Sequence, residues 1–208
     1  MRYLLFIIIS INIFSMDFRE NFWGSTSEQI LEKEKVKLIL YKENLKSKNY
    51  KTFKGEYKYN YKIDEYSFDD VLESLGEFLV TYSFLQNKLI KGTYTKEFKF
   101  LNPNKIVNKT EAIINSVDDL KSFERAKQYL VWKYGENYKS YGISDNYEWN
   151  NGRSKITLNY FPQWGYIIEY FADTEAMREF IDNAENGKEF IKELDTEFKE
   201  FNRIKYKL

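Results

Sequence analysis

Asp64, Glu65, Asp69 and Asp70 stand within seven residues of one another, and oxygen-bearing side chains so close together could hold a hard cation. The D-x-D-x-D-G spacing of a calcium loop is missing, so a solvated turn accounts better for the cluster, and no metal or cofactor is assigned. Glycoside hydrolysis would need two carboxyl groups roughly 5–10 Å apart in a cleft; with 32 acidic residues in the chain, sequence nominates no pair. There is no His and no Cys. That removes Ser–His and Cys–His nucleophiles, imidazole and thiolate metal ligands, and disulfides. Catalysis would fall to carboxylates, Lys or Tyr, and no catalytic residue is assigned.

The aromatic residues offer binding rather than chemistry. Tyr57, Tyr59 and Tyr61 recur at every second position, as one face of a strand does. Tyr147, Trp149, Trp164 and Tyr166 fall on neighbouring segments that read as hairpin strands. Together these seven form the candidate surface for sugars or peptides. The competing reading places them in the interior of the sheet, which is the commoner fate of aromatic rings on strands.

The elements that must position these residues follow from pattern. Ser25 and Glu28 have capping-box spacing, which predicts a helix over about residues 26–35. Strands are expected at 36–41 and 54–63, with Glu56, Lys58, Asn60 and Lys62 opposite the tyrosines, and then at 77–84 and 88–100 around a turn at Leu85-Gln86-Asn87. Residues 67–75 read as a helical turn or a loop, and residues 100–109, with Pro103, as a break. Val117, Leu120, Phe123, Ala126, Leu130 and Tyr134 predict a helix over 117–134, started by Ser116 and ended by Gly135. Asn151-Gly152 signals a hairpin between strands at 147–150 and 153–161, and a further strand follows at 165–171. Two amphipathic helices divided by Gly187 close the chain. The expected fold is α+β: an antiparallel sheet with packed helices and a C-terminal helical segment. Residues 17–100 and 110–172 each read as a helix before about three strands, an arrangement that invites comparison with a duplication, and residues 173–208 form the helical end.

Tyr3 to Phe14 is an apolar run broken only by Ser10 and Asn12, preceded by Arg2. It reads as a secretory signal peptide over residues 1–15, too short to span a bilayer, with residues 16–208 as a single domain. An uncleaved N-terminal anchor is the alternative. Residues 1–15 hold one base and no acid, leaving 31 basic against 32 acidic residues and a net charge of −1. That balance argues against a nucleic-acid binder and against a polybasic membrane-surface protein. Without Cys, lipid attachment at an N-terminal Cys is ruled out, so the cleaved form carries no stable membrane anchor. The expected location is periplasmic or secreted.

Phe18-Arg19, Trp23-Gly24, Ser25, Glu28, Tyr82-Ser83-Phe84, Asn87-Lys88-Leu89, Lys133-Tyr134-Gly135, Trp149 and Ile156-Thr157-Leu158 occur in that order. The series resembles a diffuse group of exported bacterial proteins of unknown function, whose pattern begins F-R-x-x-x-W-G-x-S-x-E. The resemblance brings no catalytic residues. Taken together, the sequence points to an exported, non-enzymatic binding or adaptor protein of the bacterial envelope, with a protein or envelope component as partner. The alternatives are a carboxylate-based hydrolase of glycans or peptidoglycan and a secreted factor aimed at host or competitor proteins.

Overall fold

A computed structural model describes residues 17–34, 39–52, 55–72, 75–98, 109–141, 145–162 and 164–205. The expected signal segment and the break at residues 100–109 lie outside the described residues, apart from Lys109. Helix α1 (Ser27–Glu34) precedes strands β1 (Ile39–Thr52), β2 (Gly55–Leu72), β3 (Gly76–Leu85) and β4 (Lys88–Glu97). Helix α2 (Lys109–Tyr134) precedes β5 (Lys139–Ser140), β6 (Asn146–Asn150), β7 (Ser154–Phe161) and β8 (Gly165–Ala172). Helices α3 (Glu175–Asn186) and α4 (Lys188–Lys205) follow. All eight strands form one antiparallel sheet in the order β1-β2-β3-β4-β8-β7-β6-β5. The fold is α+β, as expected, and each half is a helix followed by four strands rather than three, joined where β4 meets β8.

Alternation along the strands sorts the sheet into two faces. Phe78, Val80, Tyr82, Phe84, Tyr166, Ile168, Tyr170, Ile156, Leu158, Tyr147 and Trp149 point to one side and form the core with Ile30 of α1 and with Phe123, Ala126 and Leu130 of α2. Indole and phenol groups buried there keep their hydrogen bonds: Trp149 Nε1 donates to the Gly135 carbonyl at 3.0 Å, and the Tyr166 hydroxyl meets Ser122 Oγ at 2.9 Å.

Four local expectations are corrected. Residues 67–72 are strand, not turn: Phe68 and Leu72 pack on the core in alternation, and the charged Asp70 that hides this pattern in sequence is matched by Arg19 from 51 residues away. The capping box is shifted by one residue. Thr26 and Gln29 exchange the two hydrogen bonds, at 3.4 and 2.9 Å, while Glu28 accepts from Asn87 instead. Helix α2 starts at Lys109, which makes Ser116 an interior residue rather than a cap. The β1 strand runs to Thr52, well past residue 41, because Lys- and Asn-rich edge strands lack an apolar alternation to announce them.

Other turn signals read directly into structure. Gln86 and Asn87 both have positive φ (49° and 58°), the conformation that a two-residue hairpin turn needs. Gly187 caps α3 in the left-handed region, with its N–H donated to Asn183, and starts α4. A Cβ there would meet the Tyr59 ring at 2.9 Å, so the same glycine lets the helix bend close onto the β1–β2 hairpin.

The segment Asp17–Gly24 fastens the two halves. Phe18 lies among Tyr82, Tyr94 and Tyr170 with ring centroids 5.1–5.3 Å away, over Gly92 at the centre of the sheet. Asp17, its side chain 0% exposed, accepts from Arg153 at 2.8 and 2.9 Å and from the Trp23 amide at 2.9 Å. Trp23 Nε1 donates to Ser154 Oγ at 3.0 Å. On the other side, Arg19 grips Glu34 with two bonds of 3.0 Å and Asp70 with one of 2.6 Å, from a turn in which Arg19 and Glu20 both have positive φ. A non-glycine turn of this kind is strained, and the ion pairs hold it in place.

Burial dominates the titration of the core phenols. It pushes Tyr94 and Tyr166 up to about 12 from the ordinary value of 10. Tyr82 is raised further, first by burial and then by donating to Glu34. The sign is fixed by linkage: raised folded-state values make stability complete below pH about 10 and erode it as pH rises from there toward 12. Urea midpoints measured from pH 8 to 11.5 should be level at first and then fall above about 10. A midpoint that stays flat through pH 11.5 would contradict buried, protonated phenols.

Candidate binding face

The second face of the sheet carries Glu65, Ser67 and Asp69 from β2, and Glu77, Leu79, Thr81 and Ser83 from β3. From β4 come Lys91, Thr93, Thr95 and Glu97, and from β8 come Ile167, Glu169 and Phe171. Lys155, Thr157 and Asn159 of β7 and Glu148 of β6 complete it. Helices α1 and α2 pack on the opposite side. Among the described residues, helix α3 meets this face at the corner where Ile63 and Leu85 pack with Phe180, Ile181 and Ala184, while its Met177 joins the core on the other side. Helix α4 sets Phe190 against Tyr50, Tyr57 and Tyr59 of the β1–β2 hairpin.

Register makes one row of this face continuous. Ser67 pairs with Thr81, Thr81 with Thr93, Thr93 with Glu169, Glu169 with Thr157, Thr157 with Glu148, and Glu148 with Lys139. Six strand-to-strand steps of about 4.8 Å give a band about 29 Å long. From Ser67 to Lys139 every residue along it carries a hydroxyl, carboxylate or ammonium; in β1 the row continues to Ile39. The row is partly cross-linked. Glu169 pairs with Lys91, which also lies over the Phe171 ring, and accepts from Thr157 and Asn159 at 3.4 Å. Glu148 pairs with Lys155 at 2.8 Å, and Glu65 accepts from Asn44 and Ser83 at 3.3 and 3.4 Å.

The acidic cluster read from sequence is divided by this alternation. Glu65 and Asp69 belong to the open face, whereas Asp64 and Asp70 point to the other side, Asp70 onto Arg19 and Asp64 toward Lys62 at 3.1 Å. Among the described residues no group of three or more acids is placed to hold a metal ion.

The seven aromatic candidates are not brought together. Tyr57, Tyr59 and Tyr61 lie half-buried under the bend between α3 and α4; Phe190 sits 5.5 Å from Tyr59 and 6.4 Å from Tyr57, and Tyr61 packs against the small cluster around Ile63. Tyr147, Trp149 and Tyr166 are core residues on the helix-covered face. Trp164, in the turn between β7 and β8, is 79% exposed. What the sequence reading missed is the hydroxyl row. Ser67, Thr81, Thr93 and Thr157 are scattered over 91 residues, and only strand register aligns them.

Carboxylate chemistry can be weighed on the same geometry. Glu65 and Glu169 are three strands and two residues apart, about 16 Å, too far for either hydrolytic geometry. Glu148 and Glu169 flank Thr157 at about 10 Å, but each faces lysine, Glu148 with Lys155 and Glu169 with Lys91. An acid–base pair needs environments that push its members apart, and these two are alike. Glu34 and Asp70 are both bound by the Arg19 guanidinium. Burial works to lower the Arg19 pKa and is outweighed by its bonds to Glu34 and Asp70 and the charge around it, so its value is raised and the cluster is a permanent ion clamp. No helix among the described residues is long and apolar enough to cross a membrane. Comparison with models of known protein families, with curated proteins and with solved structures returns no match.

Proposed function

We propose that this chain is an exported, non-enzymatic binding protein of the bacterial envelope, and that it binds through the polar face of its sheet. The observation that carries the reading is the contrast between the two faces. One is sealed by α1, α2 and the Asp17–Gly24 segment; the other keeps a band of hydroxyls and charges that no helix covers among the described residues. A rigid antiparallel sheet holds such groups at fixed spacing, which is what a recognition surface needs. The ionic clusters that could otherwise suggest catalysis, around Arg19 and around Asp17, are occupied in tying the N-terminal segment to both halves.

Export rests on the N-terminal apolar run. Its test is N-terminal sequencing of the protein recovered from the medium or periplasm, which should begin near Met16. Binding is tested by pull-down from envelope extract and from cell-wall and glycan material, with Thr81→Trp as the blocked control. The wild type should retain a component that the variant loses. Equal retention by both, or none by either, would overturn the reading.

A further inference from the structure

We infer that the chain forms a two-fold symmetric dimer through the outward side of α2, the cover for that side being a second copy of itself. The inference goes beyond the binding role of the polar face and stands without it. A helix laid on a core by one apolar stripe normally turns polar and charged residues outward. Helix α2 buries Phe123, Ala126 and Leu130, yet its outward side also carries Val117, Leu120, Tyr129 and Trp132, which are 43% to 81% exposed. A patch of large exposed apolar side chains marks a surface that another surface covers.

The order of residues along the helix identifies the cover. Tyr129 and Trp132, with ring centroids 6.1 Å apart, form an exposed aromatic pair toward the C-terminal end. Toward the other end, Val117, Leu120, Lys121, Glu124, Arg125 and Gln128 line an open groove of about 420 Å³. A projection and a groove on one helix face suit an isologous contact, because each copy offers both. An antiparallel pair of α2 helices, its two-fold axis passing between Glu124 and Arg125, sets Val117 level with the partner's Trp132. Leu120 then lies level with the partner's Tyr129, and Lys121 with the partner's Gln128.

Charge agrees with this register. Glu124 lies level with the partner's Arg125, and Asp118 within one turn of the partner's Lys133, each contact being made twice. The nearest cation to Asp118 within its own chain is Lys121, in an exposed contact of 4.0 Å that contributes little. Lys133 rests over the Tyr129 ring at 5.9 Å, beside the proposed contact. A parallel pair would instead set like charge against like and groove against groove. With Asp118 and Glu124 against Lys121, Arg125 and Lys133, all exposed, the face is too evenly charged to select a strongly charged partner. Because α2 lies across the sheet from the polar face, the dimer turns both polar faces outward and is bivalent.

Sedimentation of the full chain from about 1 to 100 μM tests this, and should show a monomer–dimer equilibrium. Trp132→Ala, at an exposed position, should weaken dimerisation at least about tenfold and leave the circular dichroism unchanged. Glu124→Arg and Arg125→Glu should each weaken it comparably. An equimolar mixture of those two variants should recover the dimer, since each chain then supplies the charge that the other lacks. Thr81→Trp on the polar face should dimerise as the wild type does. A wild type that stays monomeric throughout, a dimer indifferent to Trp132→Ala, or a mixture no more associated than its components would overturn the inference. Loss of the dimer in Thr81→Trp would overturn it too, by placing the contact on the polar face.

Discussion

Arg153→Ala should cost about 3 kcal/mol of stability, and more than Asp17→Ala does, although the two residues form one ion pair. The asymmetry follows from which charge is left behind. Removing Arg153 strands the Asp17 carboxylate, whose side chain is 0% exposed, with the Trp23 amide as its remaining partner. Removing Asp17 leaves the Arg153 guanidinium, 41% exposed, which water can rehydrate; the cost is then the unpaired Trp23 amide and a small cavity, about 2 kcal/mol. For a domain of this size the larger loss lowers the melting temperature by roughly 6–12 °C. Thermal unfolding of both single variants and of the double variant measures this. The double variant should lose less than the sum of the singles by about 1 kcal/mol. If Asp17→Ala is the worse of the two, burial of the carboxylate is not what organises this end of the molecule.

Gly92→Ala should be as severe, for a steric reason. In an ordinary strand the change from Gly to Ala is favourable, because Gly gives up more conformational freedom on folding. Here a Cβ at residue 92 would lie 2.1 Å from Cδ1 of Phe18 and 2.3 Å from two further ring atoms. The ring has nowhere to retreat, with Tyr82, Tyr94 and Tyr170 around it. Losing a buried phenylalanine from its seat costs about 3 kcal/mol or more. In a Phe18→Ala background the same substitution should become neutral or mildly stabilising. Urea denaturation of the four-member cycle checks this, and equal costs in the two backgrounds would show that Phe18 does not occupy the hollow over Gly92.

These two sites explain why part of the molecule is readable in sequence and part is not. Local signals carry over well: the alternating apolar pattern of β3, β7 and β8, the Gly135 stop of α2, the Gly187 division between α3 and α4. Each depends on neighbours within a few residues. Asp17–Arg153 and Arg19–Asp70 join residues 136 and 51 apart, so nothing local marks them. Asp70 even conceals a strand, because a carboxylate on a core-facing position breaks the alternation that would reveal it. The tyrosine stripe was legible as a strand face, but which cover it receives depends on where α4 comes to rest. The hydroxyl band is the extreme case. Serine and threonine are unremarkable one at a time, and their alignment exists only after seven strands have taken their registers.

A photo-crosslinking residue placed at Thr81 in the exported protein tests whether that band is the binding surface. The comparison position is Trp132, on the exposed side of α2 and on the opposite side of the sheet. A discrete adduct to an envelope component should form from position 81 and none from position 132. Such an adduct from position 132 with none from position 81 would contradict this, and would move the binding surface to the helices.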